Sequence, residues 1–153
     1  MHKVYGDADA MRWVGDGKPL DHAQCEQWVE VTLRNYAVRG YGMFALVGRE
    51  DGEAVGFCGL VHPGGQVEAE IKYALDREFW RRGFATEAVA GMLELAASCF
   101  ALRRVIATVD PENLASQCVL RKAGMQLGGQ RSDGDCPSTM LFVWDAPDDE
   151  KTV

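Results

Sequence analysis

The stretch FWRRGFATEA, residues 79–88, decides how the fold is interpreted, because it lies where an extended segment gives way to a helix. A helix N-terminus leaves backbone N–H groups without intrahelical acceptors and carries partial positive charge. Gly83 lets the backbone approach a ligand closely, and Arg81 and Arg82 add positive charge. Such a turn suits a phosphate or pyrophosphate group. Plain helix capping stays open as the alternative, since a single glycine is a weak signal. The stretch has neither the Walker nor the GxGxxG pattern, which disfavours a nucleoside triphosphate or a dinucleotide as the ligand.

Beyond this turn, the spacing of apolar residues predicts alternating helices and strands. A helix is indicated by apolar residues at i, i+3, i+4 and i+7. Its predicted buried face consists of Ala85, Val89, Met92, Leu93, Ala96 and Phe100. The β-branched run at 103–110 predicts a buried strand. A helix from about Asn113 to Gly124 and strands at 125–132 and 138–146 complete the chain.

Before the turn, the pattern predicts one helix and a meander of strands. Asp21 and Gln24 have the spacing of a capping box, and Gly40 is a fitting helix stop. Three β-rich runs separated by two turn signals then predict an antiparallel meander. These runs are residues 41–49, 54–62 and 67–75.

The order α, βββ, α, β, α, ββ predicts an α+β fold. We expect a mixed, mostly antiparallel central sheet with helices on both faces. Residues 1–153 are predicted to form a single domain, with an acidic tail that frays from about residue 147.

The composition limits the partners and the compartment. The 153 residues carry a net charge of −7 and a pI near 4.9, which argues against nucleic acid or an anionic membrane as a partner. No apolar run approaches the ~20 residues that span a bilayer, and the first residues do not resemble a signal peptide. The five cysteines include no CxxC pair, so we expect reduced thiols, no metal site and a cytoplasmic location.

Two linked motifs resemble those of the GNAT superfamily of acyl-CoA N-acyltransferases. The first is EIKYALDREFWRRGFATEAV, residues 70–89, and the second is RRVIATVDPENLASQCVLRKAGM, residues 103–125. The first motif contains an aromatic residue, two variable residues, Gly, a second aromatic residue and Ala-Thr-Glu-Ala. This order resembles that of the ribosomal-protein alanine acetyltransferase-like (RimJ/RimL) branch. The second signature, N-x-x-S-x-x-V-L-x-K-x-G, is met from Asn113 to Gly124.

The resemblance implies a GNAT fold and a site for acetyl-CoA as the acyl donor. The turn and helix start would hold the pyrophosphate, and Ile71 and Tyr73 would pair their backbone with the pantetheine arm. Asn113 and Ser116 would line the cleft near the thioester. The implied donor-binding residues are Ile71, Lys72, Tyr73, Arg81, Arg82, Gly83, Phe84, Ala85, Thr86, Asn113 and Ser116.

Two side chains are candidates for the chemistry of amine acylation. The amine must lose a proton, to a carboxylate or through water, and the departing thiolate needs a proton. Glu70, which shares a strand face with Glu68 and Lys72, is the candidate base, with Glu68 as the weaker alternative. Ser116 is the candidate donor to the leaving sulfur. The plainer interpretations are a solvated strand face for Glu70 and a backbone-bonded helix serine for Ser116.

The chain also departs from the family pattern. Lys72 stands where a glycine is frequent, and Met125 replaces the usual Phe. The usual first strand is lacking, which would leave a neighbouring strand edge open. We therefore expect either a second chain, and hence a homodimer, or the N-terminal segment to cover that edge.

Three functions are compatible with these observations. The first is an N-acetyltransferase that moves an acetyl group from acetyl-CoA to a protein N-terminus or a small-molecule amine, by direct transfer in a ternary complex. The second is a non-catalytic acyl-CoA-binding module, and the third is an unrelated phosphate-ligand protein. The acceptor regions expected from the resemblance are the first helical region and the loop 132–138. Their acidic residues, Asp16, Asp133 and Asp135, would suit a cationic amine, and solvated loop charges stay open as the alternative.

Overall fold

A computed structural model describes residues 1–132 and 138–148. Six strands form one sheet in the order β1-β2-β3-β4-β6-β5. The strands are β1 (Met43–Val47), β2 (Ala54–Val61), β3 (Ala69–Leu75), β4 (Arg104–Val109), β5 (Gln126–Arg131) and β6 (Thr139–Asp145). The helices are α1 (His2–Tyr5), α2 (Ala8–Met11), α3 (His22–Arg39), α4 (Phe84–Ser98) and α5 (Leu114–Lys122). The predicted α+β fold with a mixed sheet is confirmed.

The pairing of the strands creates a gap in the middle of the sheet. β1, β2 and β3 form an antiparallel meander, and β6 pairs antiparallel with both β4 and β5. β3 and β4 run parallel, but they pair only at Ala69 with Val105 and at Glu70 with Ile106. Since both strands continue for several residues beyond those pairs, they diverge there and open a cleft.

One face of the sheet packs on α4 and α5 and contains the main core. Phe142, Leu60, Leu93 and Leu120 are fully buried in it. The predicted inner face of α4 is largely confirmed, since Val89, Met92, Leu93 and Ala96 are buried. Ala85 and Phe100 are only half-buried, and Phe100 lies beyond the end of the helix at Ser98.

The opposite face is covered by the N-terminal helices. Tyr5 of α1 packs against Trp28 of α3 and Phe57 of β2, with ring centroids 5.1 and 5.3 Å away. The N-terminal residues therefore lie on the face of the sheet, and the expectation that they cover its open edge is wrong. Among the described residues, β1 has no strand on its outer side.

Ion pairs attach these helices to the segment between β3 and α4. Arg77 lies 3.0 Å from Asp7 and 2.7 Å from Asp9. Lys3 lies 2.8 Å from the buried Asp76, close enough for an ion pair although not aligned as a hydrogen bond. The N-terminal helices thus support the residues that lead into FWRRGFATEA. In the described part of the chain, no helix is long and apolar enough to cross a bilayer.

Helix α3 begins and ends as the sequence predicts. The Asp21 side chain accepts from the backbone N–H of Gln24, and the Gln24 side chain accepts from the backbone N–H of Asp21. Gly40 ends the helix with a φ of 78°. We expect Asp21→Ala to lower the free energy of unfolding by about 1 kcal/mol, because it removes a satisfied N-cap. Urea denaturation measures this. Glu26→Ala, an exposed change on the same helix, is the control and should cost less than about 0.5 kcal/mol.

Candidate active site

The cleft between β3 and β4 presents different side chains on its two faces, because residues alternate along a strand. Glu70 and Lys72 of β3 point to the face that carries the N-terminal helices. Ile71 and Tyr73 point to the face that carries α4 and α5, where both pack in or against the main core. The Lys72 ammonium reaches across the cleft to Thr108 of β4, at 3.3 Å. Side chains on both faces of the sheet therefore border the cleft between β3 and β4.

Glu70 is a buried carboxylate with polar partners around it. Its exposed fraction is 3%, so a solvated strand face is excluded. One carboxylate oxygen accepts from the Lys72 ammonium and from the Thr108 hydroxyl, the latter at 2.5 Å. The other accepts from the Gln66 side-chain amide at 3.3 Å. A buried charge with this many partners is stabilised in its ionised form.

The pKa of Glu70 reflects a competition between burial and these partners. Burial raises the pKa, because it penalises the charged form. Attraction to Lys72 and the hydrogen bonds from Lys72, Thr108 and Gln66 outweigh that effect, and the pKa lies below the usual range of a glutamate. Glu70 is therefore a carboxylate at neutral pH and can accept a proton.

A pocket of about 480 Å³ opens in front of Glu70. It is lined by the loop 63–66, Glu70, Lys72, Thr108, Arg131 and Thr139. The loop is held by His62, whose ring contacts the Tyr41 hydroxyl at 2.8 Å and, through Nδ1, donates to the Gln66 carbonyl at 2.9 Å. This network fixes the segment that carries Gln66, and Gln66 in turn orients Glu70.

On the other face, Tyr73 and Ser116 form a hydrogen-bonded pair. The Tyr73 hydroxyl lies 2.5 Å from Ser116 Oγ. The Asn113 side chain caps α5 by accepting from the backbone N–H of Ser116 at 3.1 Å, which fixes the serine at the helix start. Burial raises the pKa of Tyr73 to about 12, with the Ser116 hydroxyl acting in the opposite direction. The pair is thus protonated at neutral pH and can donate a proton.

The residues before α4 form a turn with unpaired backbone donors. Arg81 has a φ of 59° and Gly83 a φ of 81°, which places both in the left-handed region. Within the described residues, no acceptor is bonded to the backbone N–H groups of residues 82–86. The Arg82 guanidinium lies over the rings of Phe84 and Phe79, 5.0 and 5.5 Å from their centroids. Consecutive free N–H groups beside two arginines are suited to bind an anion.

The structure brings most of the predicted residues together but divides them between the two faces. Lys72 is the exception among the predicted donor-binding residues, since its side chain joins Glu70 in the pocket. Glu68, the alternative base, is exposed and precedes β3. Gln66, Thr108 and Arg131, which also line the pocket, were not predicted from the sequence. A polar residue within the apolar strand RVIATV was a signal for Thr108, whereas Gln66 and Arg131 meet only through the tertiary fold.

Cys58, which pairs with Tyr73 across β2 and β3, is not an activated thiol. Cys58 lies behind the cleft with no exposed surface, and burial raises the pKa of its thiol to about 12. Cys118, on α5, is exposed. Among residues 1–132 and 138–148, no group of three His, Cys, Asp or Glu side chains could hold a metal ion.

Several expectations fall on residues that are not described. Asp133, Asp135 and Cys136, in the expected acceptor loop, lie outside the described residues, as does the tail from residue 149. Residues 147 and 148, with which the predicted acidic tail begins, are described. Arg103 contacts the Pro147 carbonyl at 3.3 Å and Asp148 at 3.2 Å.

Comparison with known proteins gives consistent results for sequence and structure. A model of the acetyltransferase (GNAT) domain family matches residues 1–126. The uncharacterized N-acetyltransferase p20 of Bacillus licheniformis is 34% identical over 133 residues, which cover 86% of this chain and 74% of that protein. An acetyltransferase of the GNAT family from Bacillus anthracis has a similar structure, with a TM-score of 0.78 and 22% identity over 95% of this chain and 86% of that one. The acetyltransferase RimL, solved in complex with coenzyme A, gives a TM-score of 0.73 at 18% identity, over 88% and 79% of the two chains.

Proposed function

The chain belongs to the acetyltransferase (GNAT) family, and from this premise we propose that it moves an acetyl group from acetyl-CoA to a primary amine within a ternary complex. The observation that carries the proposal is the divergence of β3 from β4 after Glu70, with a buried carboxylate on one face and the Tyr73–Ser116 pair on the other. We further propose that the chain belongs to the RimJ/RimL-like branch, on its two motifs and its structural similarity to RimL.

The turn before α4 and the open edge of β3 would hold the acyl donor. The N–H groups of residues 82–86 would bind the pyrophosphate, and Arg81 and Arg82 would offset its charge. Ile71 and Tyr73 would offer their backbone to the pantetheine arm, since this part of β3 is not paired with β4. The donor supplies a thioester, whose carbonyl is open to attack by a neutral amine.

Glu70 would act as the base and the Tyr73–Ser116 pair as the proton donor. An ammonium ion must lose a proton before it can attack, and a carboxylate that stays ionised can take it, directly or through water. The Tyr73–Ser116 pair lies on the opposite face of the cleft and would donate to the departing sulfur. Asn113 would position that pair by capping α5. Because Cys58 is buried and protonated, an acyl-cysteine route through this residue is disfavoured relative to direct transfer.

We expect Gly83→Ala to weaken acetyl-CoA binding by about tenfold, as measured by calorimetry. A Cβ at Gly83 meets no atom within 4 Å, so the cost is conformational. Holding a non-glycine residue in the left-handed region costs roughly 1–2 kcal/mol, and 1.4 kcal/mol corresponds to a factor of ten.

Gly91→Ala is the matched control for this change. Gly91 lies inside α4, and a Cβ there also meets nothing within 4 Å. Because Ala is favoured over Gly in a helix interior, this variant should bind acetyl-CoA like the unmodified protein and be slightly more stable. Equal binding by Gly83→Ala and Gly91→Ala would contradict a role for the turn.

The proposed function is tested by following free thiol release from acetyl-CoA with a panel of primary amines, beside thermal denaturation with and without coenzyme A. We expect amine-dependent release and a higher melting temperature with coenzyme A. Release that does not depend on the amine would contradict amine acylation. No stabilisation by coenzyme A would contradict a donor site at the cleft.

A further inference from the structure

We propose that Gln66 is a positioning residue for the proposed base, and that it keeps one carboxylate oxygen of Glu70, Oε2, oriented to receive the proton of the acceptor amine. The inference rests on the proposed acetyl transfer and names the atom to which the proton goes. It follows from the unequal hydrogen bonding of the two carboxylate oxygens and from the way in which the Gln66 amide is held.

The two carboxylate oxygens of Glu70 differ in their partners. Each oxygen of a carboxylate offers about two lone-pair sites. Oε1 accepts from the Lys72 ammonium and from the Thr108 hydroxyl, so both of its sites are filled. Among the described residues, Oε2 accepts from the Gln66 amide alone, at 3.3 Å, so one of its sites is open. Because Glu70 lines the pocket, Oε2 is the oxygen that can take a proton from a bound amine.

Three contacts determine the orientation of the Gln66 amide. Its nitrogen donates to Oε2 of Glu70 and, at 3.0 Å, to the backbone carbonyl of Glu68. Its oxygen accepts from Arg131 at 3.4 Å. Exchanging the amide oxygen and nitrogen would place an oxygen against a carboxylate and a carbonyl, and N–H groups against a guanidinium. Gln66 therefore presents a donor, rather than an acceptor, to Glu70.

The backbone of Gln66 is held independently of its side chain. Its carbonyl accepts from His62 Nδ1 at 2.9 Å, and its N–H donates to the Pro63 carbonyl at 3.2 Å. The other ring nitrogen of His62 lies 2.8 Å from the hydroxyl of Tyr41, a buried residue. Since none of these bonds uses the Gln66 amide, a change confined to that amide should leave the loop 63–66 in place and affect Glu70.

The proposed proton transfer uses the open site on Oε2. An N–H bond of the substrate ammonium breaks, its electron pair stays on the nitrogen, and an O–H bond forms at Oε2, directly or through water. Lys72 and Thr108 remain on Oε1. The Gln66 donor restricts rotation of the carboxylate, so Oε2 keeps facing the position from which the proton comes.

The same donor favours the ionised form of Glu70. Burial raises the pKa of Glu70, and the charge of Lys72 and the hydrogen bonds, including the one from Gln66, lower it below the usual glutamate range. Among the described residues that line the pocket or bond to Gln66, the other titratable or charged side chains are Lys72 on β3, Arg131 on β5 and His62. All three remain when Gln66 is replaced. A change in the titration of Glu70 would therefore report on the lost amide.

The direct test is an NMR titration of the Glu70 carboxyl in the full chain without acyl donor. The glutamates carry a ¹³C label, and the Glu70 signal is assigned by its absence from Glu70→Gln. Gln66→Met has a side chain of similar length without an amide, whereas Gln66→Glu keeps an acceptor for Arg131 without a donor for Glu70. In both variants we expect Glu70 to titrate at higher pH than in the unmodified protein, because its ionised form loses a hydrogen bond.

Steady-state thiol release gives the second measurement. We expect kcat to fall by about tenfold in Gln66→Met and in Gln66→Glu, because the proton acceptor is less well oriented. In a Glu70→Gln background, Gln66→Met should change kcat by less than about twofold, since Gln66 acts only through Glu70. Gln126→Met is the matched control: Gln126 is an exposed glutamine of β5 outside the pocket lining, and its loss should change neither the titration nor kcat.

Two results would overturn the role of Gln66. One is an unchanged titration of Glu70 in both variants. The other is an equal loss of kcat in Gln66→Met with and without Glu70, which is what a merely structural role would produce. Amine-dependent thiol release by the unmodified protein would then show that the proposed function stands while this role fails. The absence of such release would overturn both. A higher melting temperature with coenzyme A confirms that each variant is folded.

Discussion

Glu70→Gln is expected to lower kcat by about 100-fold or more, because general acid–base groups contribute roughly 10²- to 10⁴-fold to enzymatic rates. Glutamine keeps the shape of the side chain and can still accept from Thr108, but it cannot take a proton from the amine. Steady-state thiol release at saturating acetyl-CoA measures the effect.

The control for this variant is Glu68→Gln, which removes an exposed carboxylate just before β3. It should keep near-normal kcat, and both variants should bind coenzyme A like the unmodified protein. A Glu70→Gln enzyme that retained more than about half of the normal kcat would contradict the assignment of the base, since a general base contributes far more than a factor of two.

The same carboxylate sets the acid side of the pH profile. Because the pKa of Glu70 lies below the usual glutamate range, the base stays ionised until the pH falls through that lowered value. The Glu70-dependent part of kcat/KM should therefore persist down to acidic pH and decrease only below the range of an ordinary glutamate. A loss of this part near neutral pH would indicate a base other than Glu70.

Removing either member of the Tyr73–Ser116 pair is expected to lower kcat by about 100-fold, at the lower end of what a positioned proton donor contributes. Ser116→Ala deprives Tyr73 of its partner, and Tyr73→Phe removes the hydroxyl itself. Because the two hydroxyls act as a unit, the double variant should be little worse than the more damaging single one. Pre-steady-state thiol release shows whether the chemical step is the one that is slowed.

Ser98→Ala serves as the comparison for this pair. Ser98 is an exposed serine at the end of α4, and its hydroxyl donates to the Glu94 carbonyl, so its loss should leave kcat unchanged. Strictly additive losses in the Tyr73 and Ser116 variants would show that the hydroxyls act separately. Normal kcat in both single variants would exclude them from proton donation.

The regular elements could be predicted from the sequence because their local signals agree with their tertiary roles. The capping box of Asp21 and the apolar repeat of α4 both correspond to helices, and the turn signals separate β1, β2 and β3 where expected. The helices α1 and α2 were not predicted, because each is a single turn. The apolar residues Val4 and Tyr5 of α1 are buried by contact with a distant part of the chain.

The candidate site was predictable only in part, for a physical reason. Strand alternation is enough to place Glu70 and Lys72 on one face, and a helix start is enough to expose free N–H groups near Gly83. The ion pair between Glu70 and Lys72, and the contacts of Thr108, depend on where β3 leaves β4. That divergence is a property of the whole sheet, and no local pattern encodes it.

The central claim is that this cleft transfers an acetyl group to an amine, and mass spectrometry of the reaction products tests it most directly. Incubation with acetyl-CoA and an amine panel should yield an N-acetylated amine and coenzyme A in equal amounts, and Glu70→Gln, although still binding coenzyme A, should form about 100-fold less of both. The absence of an acetylated amine from the whole panel, in a protein that binds acetyl-CoA, would contradict the account and support a non-catalytic binding module.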